Sequence, residues 1–207
     1  MAPTLIAVLD YGIGNLRSAQ KALQHVGADA RLTDDPGLVR DAAGVVLPGV
    51  GAFGRCMEEL RASKLDVVAH DSVASGRPFL GICVGMQLLY EKSEETAGVA
   101  GLGILPGTVR WLPDTVKRPQ MQWNVLDVVR PTEMFDGLDD PAWVYFVHSF
   151  AADDPTHTVA TCDYGGPATA AVEKDNVFAT QFHPEKSAHN GLRLLQNFVA
   201  RCAGEPG

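Results

Sequence analysis

The sequence predicts an α/β fold: an open, mostly parallel sheet flanked by helices, with a β-rich extension in the second half. Three observations carry that expectation. Short apolar runs alternate with helical segments through the first half, which is the grammar of βαβ units. The second half replaces this alternation with closely spaced β-rich runs separated by turn clusters, so hairpins or a mixed extension of the sheet are expected there. The 207 residues, 46% of them hydrophobic, suffice for one sizeable core and show neither a repeat nor a disordered composition.

In chain order, the first β-like run is Leu5–Leu9. A helix is expected over residues 16–26, because Leu16, Ala19, Leu23 and Val26 share one apolar face and Gly27 stands where a C-terminal capping glycine belongs. Runs at 28–32 and 44–47, one or two helices across 54–75 and a further run at 78–82 complete the parallel half. The Pro- and Asp-rich stretch 112–120 reads as a surface loop. Beyond it lie β-rich runs at 125–129, 143–147, 158–161, 168–172 and 177–182, with a turn cluster at 163–167. An amphipathic helix over 191–201 closes the chain, presenting Leu192, Leu195, Phe198 and Val199 to the core. No linker divides the chain, so one domain over residues 1–207 is expected.

Composition excludes several function classes. A net charge of −8 without clustered Lys and Arg argues against a nucleic-acid surface, leaving small molecules or another protein as partners. The apolar run Leu5–Leu9 is stopped by Asp10 and lacks the basic flank and cleavage site of a signal peptide. No stretch approaches the roughly 20 apolar residues of a membrane span. A cytoplasmic location is therefore expected. Cys56, Cys83, Cys162 and Cys202 form no CxxC pair, which leaves free thiols rather than a zinc or thioredoxin-like site. Three of the four are expected to pack as small hydrophobes. The segment Asp10-Tyr11-Gly12-Ile13-Gly14-Asn15 lacks the third glycine of a dinucleotide fingerprint, where Arg17 stands, and no Walker-type loop occurs, so no cofactor is expected.

Cys83 has a different setting. Pro78-Phe79-Leu80-Gly81-Ile82-Cys83-Val84-Gly85-Met86-Gln87 puts it between two glycines where a strand gives way to a helix, a cysteine version of the nucleophile elbow. Glycines are needed because the nucleophile sits on a sharp turn where side chains would strike the neighbouring strand and helix. Free N–H groups at the helix start favour thiolate over thiol. A cysteine nucleophile needs a base, and the base a partner that sets its tautomer. His183-Pro184-Glu185, at the end of the run 177–182, supplies both, and Pro184 stiffens the link. Both motifs fall at carboxyl ends of strands, where open α/β sheets gather their ligands. Among the other histidines, His25 and His70 lie in helical segments and His157 and His189 near turns. Only His148, before Ser149, has a suggestive position. An oxyanion would need N–H donors, one from Val84 and a second from Pro48-Gly49-Val50-Gly51, where glycines permit unusual backbone dihedrals.

These motifs, with DYGIGNLRS at 10–18, PGVGAFG at 48–54, GICVGMQLL at 81–89, GILPGTVRW at 103–111, YFVHSF at 145–150 and QFHPEKS at 181–187, resemble the class I, or triad, glutamine amidotransferases. Within that class they are similar to the glutaminase subunits that serve imidazole glycerol phosphate synthase. GMQ after the elbow, Lys186-Ser187 after HPE and PGVGAFG point to that branch. Val84 stands where the family usually has leucine, and Gln122 where it commonly has glycine. The resemblance implies a flavodoxin-like core in which Cys83, His183 and Glu185 form the triad and Val84, Val50 and Gly51 the oxyanion hole. It further implies that Gly49, Gln87, His148, Ser149 and Phe150 hold glutamine. Ammonia would pass to a separate cyclase subunit, forming a heterodimer whose surface includes Asn15, Trp123 and Lys186. Activity of the chain alone is expected to be low until the peptide at 49–51 reorients on docking. The alternatives are a glutaminase subunit of another synthase, a free-standing cysteine hydrolase, and a noncatalytic docking subunit.

Overall fold

A computed structural model describes residues 2–204. Its main sheet has eight strands in the order β2-β1-β3-β4-β13-β12-β11-β8. The parallel half follows the βαβ pattern: β1 (Leu5–Leu9), α1 (Leu16–His25), β2 (Asp29–Thr33), α2 (Pro36–Asp41), β3 (Gly44–Gly49), α3 (Phe53–Ala62), α4 (Leu65–Ala74), β4 (Phe79–Cys83) and α5 (Val84–Leu88). β1, β3 and β4 are buried almost end to end, as strands covered on both faces must be.

The helix expected over 16–26 forms, stopping one residue early, and Gly27 takes φ +96° just beyond it, a backbone that only glycine adopts without strain. The span 54–75 divides into α3 and α4, broken at Lys64, whose φ is +60°. Sequence reading omitted α2, although its signal was present. Asp35 accepts a hydrogen bond from Gly37 N at 2.8 Å, and Pro36 occupies the first turn, as N-terminal capping prescribes.

The second half contains β5 (Lys92–Ser93), β6 (Thr108–Trp111), β7 (Gln120–Val125), β8 (Asp127–Val128), β9 (Trp143–His148), β10 (Phe150–Asp153), β11 (Thr158–Asp163), β12 (Pro167–Lys174), β13 (Val177–Thr180) and α6 (Ala188–Ala203). The single strand expected at 125–129 is two pieces. β7 pairs with β9 in a separate two-stranded sheet; Leu126 N then donates to Ala142 O, its side chain buries, and β8 joins the main sheet against β11. β7 also begins inside the stretch read as a loop, at Gln120. β5, β6 and β10 make a three-stranded sheet that sequence reading did not anticipate; β6 lay inside a quoted motif and β10 begins at the end of one, while β5 lay in none. α6 starts earlier than expected, and it buries Leu194, Leu195 and Phe198 where Leu192 had been placed on the core face.

Two groups of helices flank the sheet: α1 packs beside α6, and α3 beside α4 and α5. Among the described residues no helix is long and apolar enough to cross a membrane.

Candidate active site

β3, β4 and β13 are parallel neighbours, with Gly49 opposite Cys83 and Ile82 opposite Thr180. Chain leaving the three strands therefore emerges side by side, which puts the loop after Gly49, the elbow at Cys83 and the segment 181–185 around one point. His183 is tied there by its own N–H, which donates to Tyr145 O at 3.0 Å.

Cys83 takes φ +55° and ψ −113°, a conformation costing on the order of 1–3 kcal/mol for a residue with a side chain. Its surroundings hold it there. A Cβ on Gly85 would overlap the Leu47 carbonyl oxygen, and one on Gly81 would come within 3.1 Å of the Met86 backbone, so both flanking glycines let chain cross chain. α5 spans five residues, so what it offers the sulfur is its free first-turn N–H groups, Val84 N foremost, rather than a long aligned dipole.

The His183 and Glu185 side chains are buried, and His183 Nδ1 lies 2.7 Å from Glu185 Oε1. Nδ1 therefore carries the proton and Nε2 is free to accept one. Nε2 has no hydrogen-bond partner among the described residues, and neither does Glu185 Oε2. Burial by itself pushes the imidazole down, but interaction with Cys83 on one side and Glu185 on the other raises it to about 10. The pair can thus support a thiolate beside an imidazolium, the charge state needed for attack on an amide carbonyl followed by protonation of the leaving amine.

A cavity of about 460 Å³ opens over these groups, ample for an amino-acid side chain with its α-carbon groups. Cys83, His183, Val84, Val50 and Gly51 line it together with Gln87 and the run His148, Ser149, Phe150. Asn15 and the exposed Lys186 also reach it. Two residues placed at the site from sequence, Glu185 and Gly49, do not line it, and neither does Trp123, which was expected on the partner surface. Glu185 stands behind His183, as an orienting group should. Gly49 is buried against α5, where a Cβ would meet Gly85 N at 2.7 Å and Tyr11 Oη at 2.9 Å, so close chain approach by itself requires glycine there. Trp123 lies outside on β7.

Sequence reasoning missed three side chains. Gln181 is fully buried and its Nε2 points to Cys83 Sγ at 3.8 Å. It was in view as the first residue of QFHPEKS, but a glutamine carries no acid or base to single it out. Tyr11 donates through Oη to Pro48 O at 2.7 Å, fixing the start of the 49–51 loop. Glu95 lines the cavity while its Oε2 accepts from Phe53 N at 2.7 Å, leaving the other oxygen free for a cationic group. The Val50 carbonyl is held by Cys56 Sγ at 3.3 Å, and Gly51 takes φ +91°, so that peptide has the freedom to turn and one specific contact against turning. Among the described residues no group of three or more His, Cys, Asp or Glu could hold a metal ion.

Comparison with known proteins shows the family. The model of the family "Glutamine amidotransferase class-I" matches residues 7–202. The imidazole glycerol phosphate synthase subunit HisH of Syntrophotalea carbinolica is 50% identical, covering 94% of this chain and 98% of its own length. Its counterpart from Salinibacter ruber is 45% identical, covering 95% and 94%. Among solved structures, PurLQS from Thermotoga maritima superposes with a TM-score of 0.76 at 21% identity over 97% of this chain and 99% of that one, a likeness of fold. The chain belongs to the class I glutamine amidotransferase family.

Proposed function

We propose that this chain is the glutaminase subunit of imidazole glycerol phosphate synthase, which hydrolyses glutamine and hands the ammonia to a separate cyclase subunit in histidine biosynthesis. The observation that carries the chemistry is the convergence of Cys83 and His183 on one cavity, with His183 Nδ1 anchored to buried Glu185 at 2.7 Å. The pathway is carried by the relatives, which bear that name at 45–50% identity over nearly their full length.

In this reading the Cys83 thiolate adds to the side-chain carbonyl of glutamine, and the oxygen takes the negative charge between Val84 N and a second donor from the peptide at 50–51. Collapse breaks the C–N bond as imidazolium His183 gives its Nε2 proton to the leaving nitrogen, releasing ammonia and a glutamyl thioester. Neutral His183 then takes a proton from water, the hydroxide adds to the thioester, and expulsion of the thiolate frees glutamate. Gln87 and the backbone at 148–150 hold the amino-acid end, and the free oxygen of Glu95 suits its ammonium group.

The cyclase-facing surface is the outer face of β7 and β9. Register places Met121, Trp123 and Val125 opposite Val147, Tyr145 and Trp143, so one face carries them all. Met121, Trp123 and Trp143 are 62%, 44% and 48% exposed, with Trp123 edge-on to Tyr145. Large exposed aromatics in one stripe mark an interaction face. The stripe runs to the cavity mouth at Val147, where Asn15 and Lys186 would complete the interface. A cytoplasmic location, supported by four free cysteines, belongs to the same reading.

The test is glutamate release by the purified chain, alone and with a cyclase subunit carrying its nucleotide ligand. Strong stimulation in the full mixture is expected; equal activity alone would point to a free-standing hydrolase. Cys83→Ala should abolish glutamine-dependent synthesis and leave ammonia-dependent synthesis intact.

A further inference from the structure

The buried polar groups around the cavity are not scattered; they join into one line. Gln181 Nε2 points at Cys83 Sγ at 3.8 Å, and Gln181 Oε1 accepts from Gln87 Nε2 at 2.9 Å. Gln87 Nε2 also donates to Phe150 O at 3.3 Å. The same carbonyl lies 2.7 Å from His148 Nδ1. His148 Nε2 lies 2.9 Å from Gln120 Oε1, and Gln120 Nε2 lies 3.8 Å from Cys162 Sγ. Gln87, Gln120, His148 and Gln181 are all buried.

Proton accounting gives the line a direction. Burial lowers His148 to about 4, so the ring is neutral near pH 7 and carries one N–H. Phe150 O can only accept, so that N–H is on Nδ1. Nε2 must then accept, so Gln120 Oε1 cannot be the atom that faces it: the nitrogen and oxygen of this amide, nearly equal in outline, exchange places, nitrogen toward His148 and oxygen toward the Cys162 thiol. Every donor now meets an acceptor: Cys162 to Gln120, Gln120 to His148, His148 to Phe150 O. At the other end Gln87 occupies the Gln181 oxygen, so only the Gln181 N–H₂ is left to face the sulfur, and an N–H stabilises a thiolate more than a thiol.

We propose that Gln181 is the amide donor that holds the Cys83 sulfur, and that Gln87, the Phe150 carbonyl, His148 and Gln120 set its orientation from the strand that carries exposed Trp123. Gln120 opens β7, three residues before Trp123, so a shift of β7 on docking reaches the nucleophile through a line of hydrogen bonds between buried side chains. Gln120, His148 and Gln87 are positioning residues in this scheme; Gln181 alone touches the reacting atom. The proposal rests on Cys83 being the nucleophile.

The experiment is the pH dependence of Cys83 alkylation by iodoacetamide in the full chain, read by mass spectrometry of the Cys83 peptide so that the other three cysteines do not interfere. Alkylation follows the thiolate, so losing a donor to the sulfur moves the midpoint to higher pH. Gln181→Leu should raise it by about one pH unit, the worth of a hydrogen bond to a charged group. Gln120→Leu should move it in the same direction by a smaller amount, and Gln120→Asn, whose shorter amide falls short of His148, replaces it if the leucine variant does not fold. A Gln181→Leu profile that superposes on the wild type overturns the donor assignment. A profile that moves for Gln181 but for neither Gln120 variant overturns the line to β7. Glutamate release that survives Cys83→Ala would instead overturn the underlying function.

Discussion

Glu185→Gln tests the orientation of the base most sharply, because the structure says which way the new amide must turn. Glu185 Oε1 sits 2.7 Å from His183 Nδ1, while Oε2 is buried with no partner among the described residues. A glutamine in the same rotamer must leave one end in that unpartnered spot. Orphaning the N–H₂ strands two donors, whereas orphaning the C=O strands one acceptor, and buried carbonyls tolerate this better. The amide nitrogen therefore faces Nδ1, which must accept, and the ring proton moves to Nε2. In that tautomer the imidazole cannot take a proton from Cys83 or from water. A wrong tautomer costs on the order of 10⁴-fold in kcat where an aspartate-to-asparagine change has the same effect in a triad. We expect a loss of about 10³- to 10⁴-fold, with KM nearly unchanged because Glu185 does not line the cavity. The assay is steady-state glutamate release by the complex, with co-elution of the two subunits in size-exclusion chromatography as the control that the complex is intact. Activity within about tenfold of the wild type would refute the tautomer argument.

Loss of the Glu185 charge also removes one of the two interactions that raise His183 to about 10, so the alkaline limb of kcat/KM should move to lower pH in the same variant. Because the imidazole is raised above its ordinary 6.5, the stability it contributes is fully present below that value and lost as pH rises through about 10. The wild type's advantage in Tm over Glu185→Gln should accordingly be largest at the acid end of that window. Gly85→Ala puts a methyl group on the Leu47 carbonyl; we expect a drop of about 1–3 kcal/mol in stability by denaturant titration together with loss of glutaminase activity, as the elbow is forced apart. Trp123→Ala should weaken cyclase binding by about 2 kcal/mol or more, measured by calorimetric titration, while leaving the Tm of the isolated chain nearly unchanged. Tyr90→Phe removes a buried hydrogen bond of 3.0 Å to Asp154, and neither residue lines the cavity, so denaturant titration should show a loss of about 1–3 kcal/mol with kcat unaffected.

The local chemistry of the site was legible in the sequence because elbow and base each sit in a short segment. Gly81, Cys83 and Gly85 state their own backbone requirement, and His183-Pro184-Glu185 brings base and orienter within two residues of each other, so no tertiary information is needed to pair them. The parallel half of the sheet was legible for the same reason, since βαβ units are read from consecutive runs. The β-rich half was harder. β11, β12 and β13 pair as consecutive hairpins, but β7 pairs with β9 and β8 with β11 across intervening elements, so nothing local tells that Val125 ends one sheet and Asp127 begins in another.

What the sequence determined by itself, then, is which residues are the candidates for acid, base and nucleophile chemistry, and that they lie at strand ends. Only the tertiary structure decided their neighbours. The parallel pairing of β4 with β13 brings Gln181 onto the Cys83 sulfur across 98 residues, and the pairing of β7 with β9 sets Gln120 opposite His148. Neither glutamine has an ionisable group or a spacing that announces a role. Their amides become specific only when burial strips away water and leaves each donor a single acceptor, which is a property of the packed chain rather than of any segment within it.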